Sequence, residues 1–146
     1  MIKRADIVAS ARKFVGTPFI HQGRDPVRGL DCVGLIWAVG KDLGYDFTLI
    51  TGYLPSPSGQ KVAEEAAKVL VKAPVQGWDA AKPGDIILID GWQKGVPQHL
   101  AIIGSYSSYR TMIHATSVTM KAVEHRIMPS WAAKYHSTWT YPGTEP

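Results

Sequence analysis

The chain has 146 residues, 45% of them apolar and 19% charged, with a formal net charge of +4. That balance excludes a disordered tail and a fibrous repeat, and the length suits one globular domain over residues 1–146. Apolar runs such as 86–89 and 100–103 fall far short of the ~18 residues of a membrane span, and a single cysteine, Cys32, excludes a disulfide within the chain.

The start, Met1-Ile2-Lys3-Arg4-Ala5-Asp6, is positively charged but has no apolar stretch behind it, so no secretory signal is expected. Ile7, Ala11, Phe14 and Val15 form one helical face, stopped by Gly16 and Pro18. Residues 16–31 read as a long loop. A second helix follows on the stripe Cys32, Leu35, Ile36, Val39 and Leu43, with Asp31 as N-cap and Gly44 as stop. Residues 45–59 read as another loop, closed by Leu54-Pro55-Ser56-Pro57-Ser58-Gly59, and a third helix is expected over 60–72. The period then changes to two. Lys82-Pro83-Gly84-Asp85 is a turn that feeds a buried strand at 86–90, and 91–98 is a loop. Strands are expected at 99–104, 111–115, 121–127 and 138–141, with a turn at 105–110. Helices first and strands second predict an α+β fold, with the N-terminal helices packed on an antiparallel sheet of about five strands.

Cys32 stands in the first turn of its helix, where unpaired amides and the positive end of the dipole favour thiolate, so its pKa is expected to fall. The same amides can donate to an oxyanion, and Gly34 leaves room for a substrate backbone to approach. Cys32 is equally a small apolar residue on a core stripe. His99, Ala101 and Ile103 share one strand face, and His114 lies late in the next strand, where the two imidazoles can meet. Nucleophile, base and orienter is one reading of the three; satisfied structural histidines are the other.

Several segments together carry a family resemblance. They are Gly16-Thr17-Pro18-Phe19, Gly29-Leu30-Asp31-Cys32-Val33-Gly34-Leu35, Lys82-Pro83-Gly84-Asp85-Ile86, His99-Leu100-Ala101-Ile102-Ile103 and Ile113-His114-Ala115. In order and spacing, over residues 5–127, the chain resembles the NlpC-type cell-wall peptidases, papain-like cysteine enzymes that cut peptidoglycan stem peptides. His21-Gln22-Gly23, the small size and the missing signal are most similar to the branch carried by phage tails and prophages. The resemblance implies Cys32 as nucleophile, His99 as base and His114 as orienter, acting on an amide beside D-glutamate, often the bond to diaminopimelate. It implies no metal or organic cofactor. Its partners would be the peptidoglycan peptide and, for a tail protein, other tail proteins. Such a protein sits in the cytoplasm before assembly, then in the virion tail, and acts at the cell wall or periplasm. Phe19 replaces the family's usual Tyr and Val33 its usual Ser, which weakens the family's contact to a free stem-peptide amine. Asp31 belongs to that contact in the family, and its capping role accounts for it as well.

Trp92, in the loop before His99, could wall a groove; Trp37, Trp78, Trp131 and Trp139 read as packing residues. His21 reads as a loop surface residue able to line a pocket, His125 as half-buried and structural, and His136 as surface. No zinc-type spacing or phosphate loop appears, and basic residues do not interleave with aromatics as nucleic-acid binding would ask. The rival functions are a thiol amidase or acyltransferase on another substrate, and a tail subunit that keeps the fold without turnover.

Overall fold

A computed structural model describes residues 1–46 and 60–146. Its helices are α1 (Arg4–Lys13), α2 (Cys32–Asp42), α3 (Gln60–Val69) and α4 (Pro129–Ala132). Its strands are β1 (Arg24–Asp25), β2 (Gly29–Leu30), β3 (Val71–Lys72), β4 (Ile86–Asp90), β5 (Pro97–Tyr106), β6 (Tyr109–Thr116), β7 (Lys121–Arg126) and β8 (Tyr135–Thr140). Apart from its first two residues, the loop expected at 45–59 lies outside the described residues.

The helix boundaries follow from caps and breakers. Helix α1 buries Ile7, Val8 and Ala11 but stops at Lys13. Gly16 takes φ +97°, and Val15, expected on the buried face, is exposed. In α2 the Asp31 carboxylate accepts from the Gly34 amide at the start, and Gly44 adopts φ +97° just past the end. Helix α2 is buried on most of its circumference, from Cys32 to Ile36 and from Ala38 to Gly40.

The main sheet is antiparallel, with six strands in the order β3-β8-β4-β5-β6-β7. It exceeds the expected five by the two-residue edge strand β3, which takes over what the sequence reads as the end of the third helix. The turn expected at 105–110 shrinks, because β5 and β6 extend to pair Tyr106 with Tyr109 across a bend with Ser107 at φ +50°. Strand β8 starts three residues earlier than expected, and β7 ends at Arg126. The short helix α4 has no counterpart in the expectation; its Trp131 packs on the sheet, a tertiary contact that local periodicity does not encode.

Alternation divides the sheet's side chains between two cores. Ile86, Leu88, Leu100, Ile102, Ile113 and Ala115 face α1, α2 and α3. Ile87, Ile89, Ala101, Ile103 and Met112 face the other way, under Trp78, Trp131 and Tyr135. Polar ties fix the helices to the sheet. Arg4 pairs with Asp85 at 2.6 Å, and Arg12 with Glu124 at 2.9 Å. The buried Tyr141 hydroxyl donates to the Ile36 carbonyl at 2.6 Å. Among the described residues no helix is long and apolar enough to cross a membrane.

Candidate active site

Asp31 sets the start of α2 and therefore the position of Cys32. Its Oδ1 accepts from the Gly34 amide at 2.7 Å and from Arg24 at 3.0 Å, and its Oδ2 from the Gln22 amide at 2.8 Å. The carboxylate is buried, and burial makes this guanidinium partner necessary. The geometry thus favours the structural reading of Asp31: cap, loop anchor and half of a buried ion pair.

The sheet opens where Cys32 meets it. Strands β5 and β6 pair from Tyr106↔Tyr109 as far as Ile102↔Ile113 and no further. The Ile103 amide donates to Asp85 on the β4 side, so by alternation the Leu100 amide faces the parted side. The backbone of Leu100, like that of Val33, hydrogen-bonds the Cys32 sulfur. His99 and His114, by strand alternation on the opposite face from α2, meet at the same opening. His99 Nε2 lies 2.6 Å from His114 Nδ1. The parted strands let a cysteine from the helical face and a histidine from the other line one cavity. That cavity, of about 170 Å³, is lined by Phe19, Asp31, Cys32 and His99 together with Thr116 and Ser117.

The remaining expected residues divide. His21 is exposed and does line the cavity. Val33 is 4% exposed, within the helical core, and Trp92 is 88% exposed on the 91–96 loop; neither lines it. His136 is exposed, with Nδ1 2.8 Å from the Ser137 hydroxyl. Among the described residues no three His, Cys, Asp or Glu side chains are placed to hold a metal ion.

Two expectations are overturned. The Cys32 thiol pKa is raised, to about 12, not lowered. Burial is the main cause and the Asp31 carboxylate the second; the residue is only 8% exposed, and the two amides beside its sulfur do not offset that desolvation. Gly34 does not leave room for a substrate. A Cβ there would lie 2.1 Å from the Gly23 carbonyl oxygen, so the space is taken by the loop that precedes the helix.

Burial acts on the imidazoles too. It pushes His99 down to about 4, with Asp31 partly opposing, and His114 down to about 2, with His99 and His125 adding to the effect. At neutral pH the resting pair is therefore a neutral thiol and a neutral imidazole. His125, half-buried as expected, does more than fill space: its Nε2 lies 2.7 Å from His114 Nε2. The β6–β7 register, His114↔Val123 and Met112↔His125, sets the two rings diagonally on one face. The sequence carries that signal only once the length of the hairpin turn is known.

The NlpC/P60 family model matches residues 16–140. The chain therefore belongs to the NlpC/P60 family, whose solved members include peptidoglycan hydrolases. The crystal structure of the NlpC/p60 domain of the peptidoglycan hydrolase SagA is similar, with 25% identity and a TM-score of 0.63, over 95% of this chain and 98% of that one. An NlpC/P60 family protein from Bacillus cereus shares the fold at 19% identity and a TM-score of 0.67; the match covers 94% of this chain and 40% of that protein. The peptidoglycan hydrolase RipB from Mycobacterium tuberculosis does so at 19% identity and a TM-score of 0.60, over 94% and 63% of the two chains. Curated protein sequences give no match. The papain-like α+β fold expected from the sequence is the fold observed.

Proposed function

We propose that this protein is a cysteine endopeptidase of peptidoglycan stem peptides, with Cys32 as nucleophile, His99 as base and His114 as its orienter. The observation that carries the reading is one cavity lined by both Cys32 and His99, with His99 bonded through Nε2 to His114. Because the resting pair is neutral, the thiol proton passes to His99 as the sulfur attacks the amide carbonyl. The Gly34 amide is engaged by Asp31 Oδ1 and the Leu35 amide by the Asp31 carbonyl, so of the first-turn amides the Cys32 one is left for the oxyanion, with the Val33 amide, which bonds the resting sulfur, beside it. The C–N bond breaks, the leaving amine takes the proton from His99, and a thioester remains. His99 then takes a proton from water, whose oxygen attacks the thioester and releases the acid and the thiol.

The family resemblance supports an amide beside D-glutamate as the bond cut. Asp31, paired with Arg24, and Phe19, without a hydroxyl, argue against the family's contact to a free stem-peptide amine. His21-Gln22-Gly23 supports the phage-tail and prophage branch. The test is digestion of purified peptidoglycan with mass spectrometry of the fragments. The expected result is new peptide termini with the native protein and none with Cys32→Ala, whose thermal unfolding stays cooperative. Equal hydrolysis by Cys32→Ala refutes the mechanism; no hydrolysis by either favours a subunit that keeps the fold without turnover, a reading that the buried neutral thiol also fits.

A further inference from the structure

Behind His99 the imidazoles continue. His99 Nε2 faces His114 Nδ1 at 2.6 Å, His114 Nε2 faces His125 Nε2 at 2.7 Å, and His125 Nδ1 faces the Arg126 carbonyl oxygen at 2.8 Å. A carbonyl only accepts, so His125 Nδ1 carries a hydrogen. Where each ring carries one N–H and one lone pair, as burial ensures for His99 and His114, the first assignment fixes the rest. His125 Nε2 accepts, so His114 carries its hydrogen on Nε2. His114 Nδ1 then accepts, so His99 carries its hydrogen on Nε2. The atom left basic is His99 Nδ1.

We propose that His125 is a positioning residue of the candidate active site, which holds His114, and through it His99, in the single tautomer that leaves Nδ1 of His99 free to take a proton. The proposal rests on the reading of His99 as the base. His114 is fully buried, so bulk water does not substitute for His125 as its partner. The Trp131 ring lies against all three imidazoles, with centroids 5.6 Å from His99, 5.1 Å from His114 and 6.4 Å from His125, and closes the row from that side. Without His125, the buried His114 keeps an Nε2 hydrogen only at the cost of leaving it unbonded. Its Nδ1–H tautomer then becomes competitive, and that form donates towards His99 and moves the His99 hydrogen onto Nδ1.

The test reads tautomers and turnover separately. Long-range proton–nitrogen spectra of the ¹⁵N-histidine-labelled protein at neutral pH should show hydrogens on Nε2 of His99, Nε2 of His114 and Nδ1 of His125. His125→Phe keeps a ring against Trp131 but no acceptor. It should lose the single His114 tautomer and lower kcat about tenfold at little change in KM, a part of the ~10²–10⁴-fold that a positioned general base supplies. His125→Gln offers an oxygen acceptor and should restore both. An Nδ1–H tautomer of His114 in the native protein overturns the proposal, as does His125→Phe with unchanged tautomers and unchanged kcat. Should His125→Phe not fold, the native spectrum and the Gln variant still decide. If the native protein cuts no peptidoglycan, the enzyme reading fails, while the spectra still judge the relay on their own.

Discussion

At the scale of single residues, the shifted protonation equilibria define how the site should behave. Burial holds His99 neutral down to about pH 4, so the base is in its working form through the whole range in which an exposed imidazole, near 6.5, would titrate. The acid limb of kcat/KM for stem-peptide hydrolysis should therefore lie near pH 4; a limb near 6.5 in the pH–rate profile would contradict it. Cys32, raised to about 12, forms little free thiolate at neutrality. Alkylation by iodoacetamide should be slow and should rise about tenfold per pH unit between 7 and 9, following the thiolate fraction; a rate flat across that range would show a low-pKa thiol instead. This is where sequence reasoning failed: the helix start and its dipole were legible from Asp31 and Cys32, but the desolvation that outweighs them depends on what packs over the sulfur. His99 and His114 were legible as a pair because strand alternation and a short hairpin constrain them strongly.

At the scale of elements, the loop before α2 and the first turn of α2 behave as one piece. Gly34 lies beneath the Gly23 carbonyl, and Arg24 from the same loop pairs with Asp31. Gly34→Ala should lower stability by roughly 1–3 kcal/mol, as extra atoms in packed space do, measured by urea denaturation. An unchanged midpoint would show that the loop yields freely. The bounds of α2 could be read because a cap and a glycine mark them locally. Strand β3 and helix α4 could not: two residues beside β8, and one turn whose Trp131 packs on the sheet, exist through partners distant in sequence. The same holds for His125, whose strand was identified but whose neighbour across the hairpin was not.

At the scale of the whole molecule, the buried histidines tie stability to pH. His99 and His114 have folded pKa values below the unfolded value of about 6.5. From about pH 6.5 down to about 4 for His99, and down to about 2 for His114, the unfolded chain therefore binds protons that the folded one refuses. Their contribution is complete above pH 6.5 and is lost as pH falls through that window. Calorimetry should show Tm falling from pH 7 to pH 4.5, with a smaller fall in His114→Gln; equal slopes would assign the acid sensitivity elsewhere. The order of the main sheet has one more result. Strand β8 lies between β3 and β4, although β5, β6 and β7 all precede it in the chain. During synthesis on the ribosome, β4 therefore waits with one row of backbone donors and acceptors open until residues 135–140 emerge. The nascent chain carries an adhesive edge while the residues between β4 and β8 are made, and its solubility in the cell depends on how soon that edge is covered.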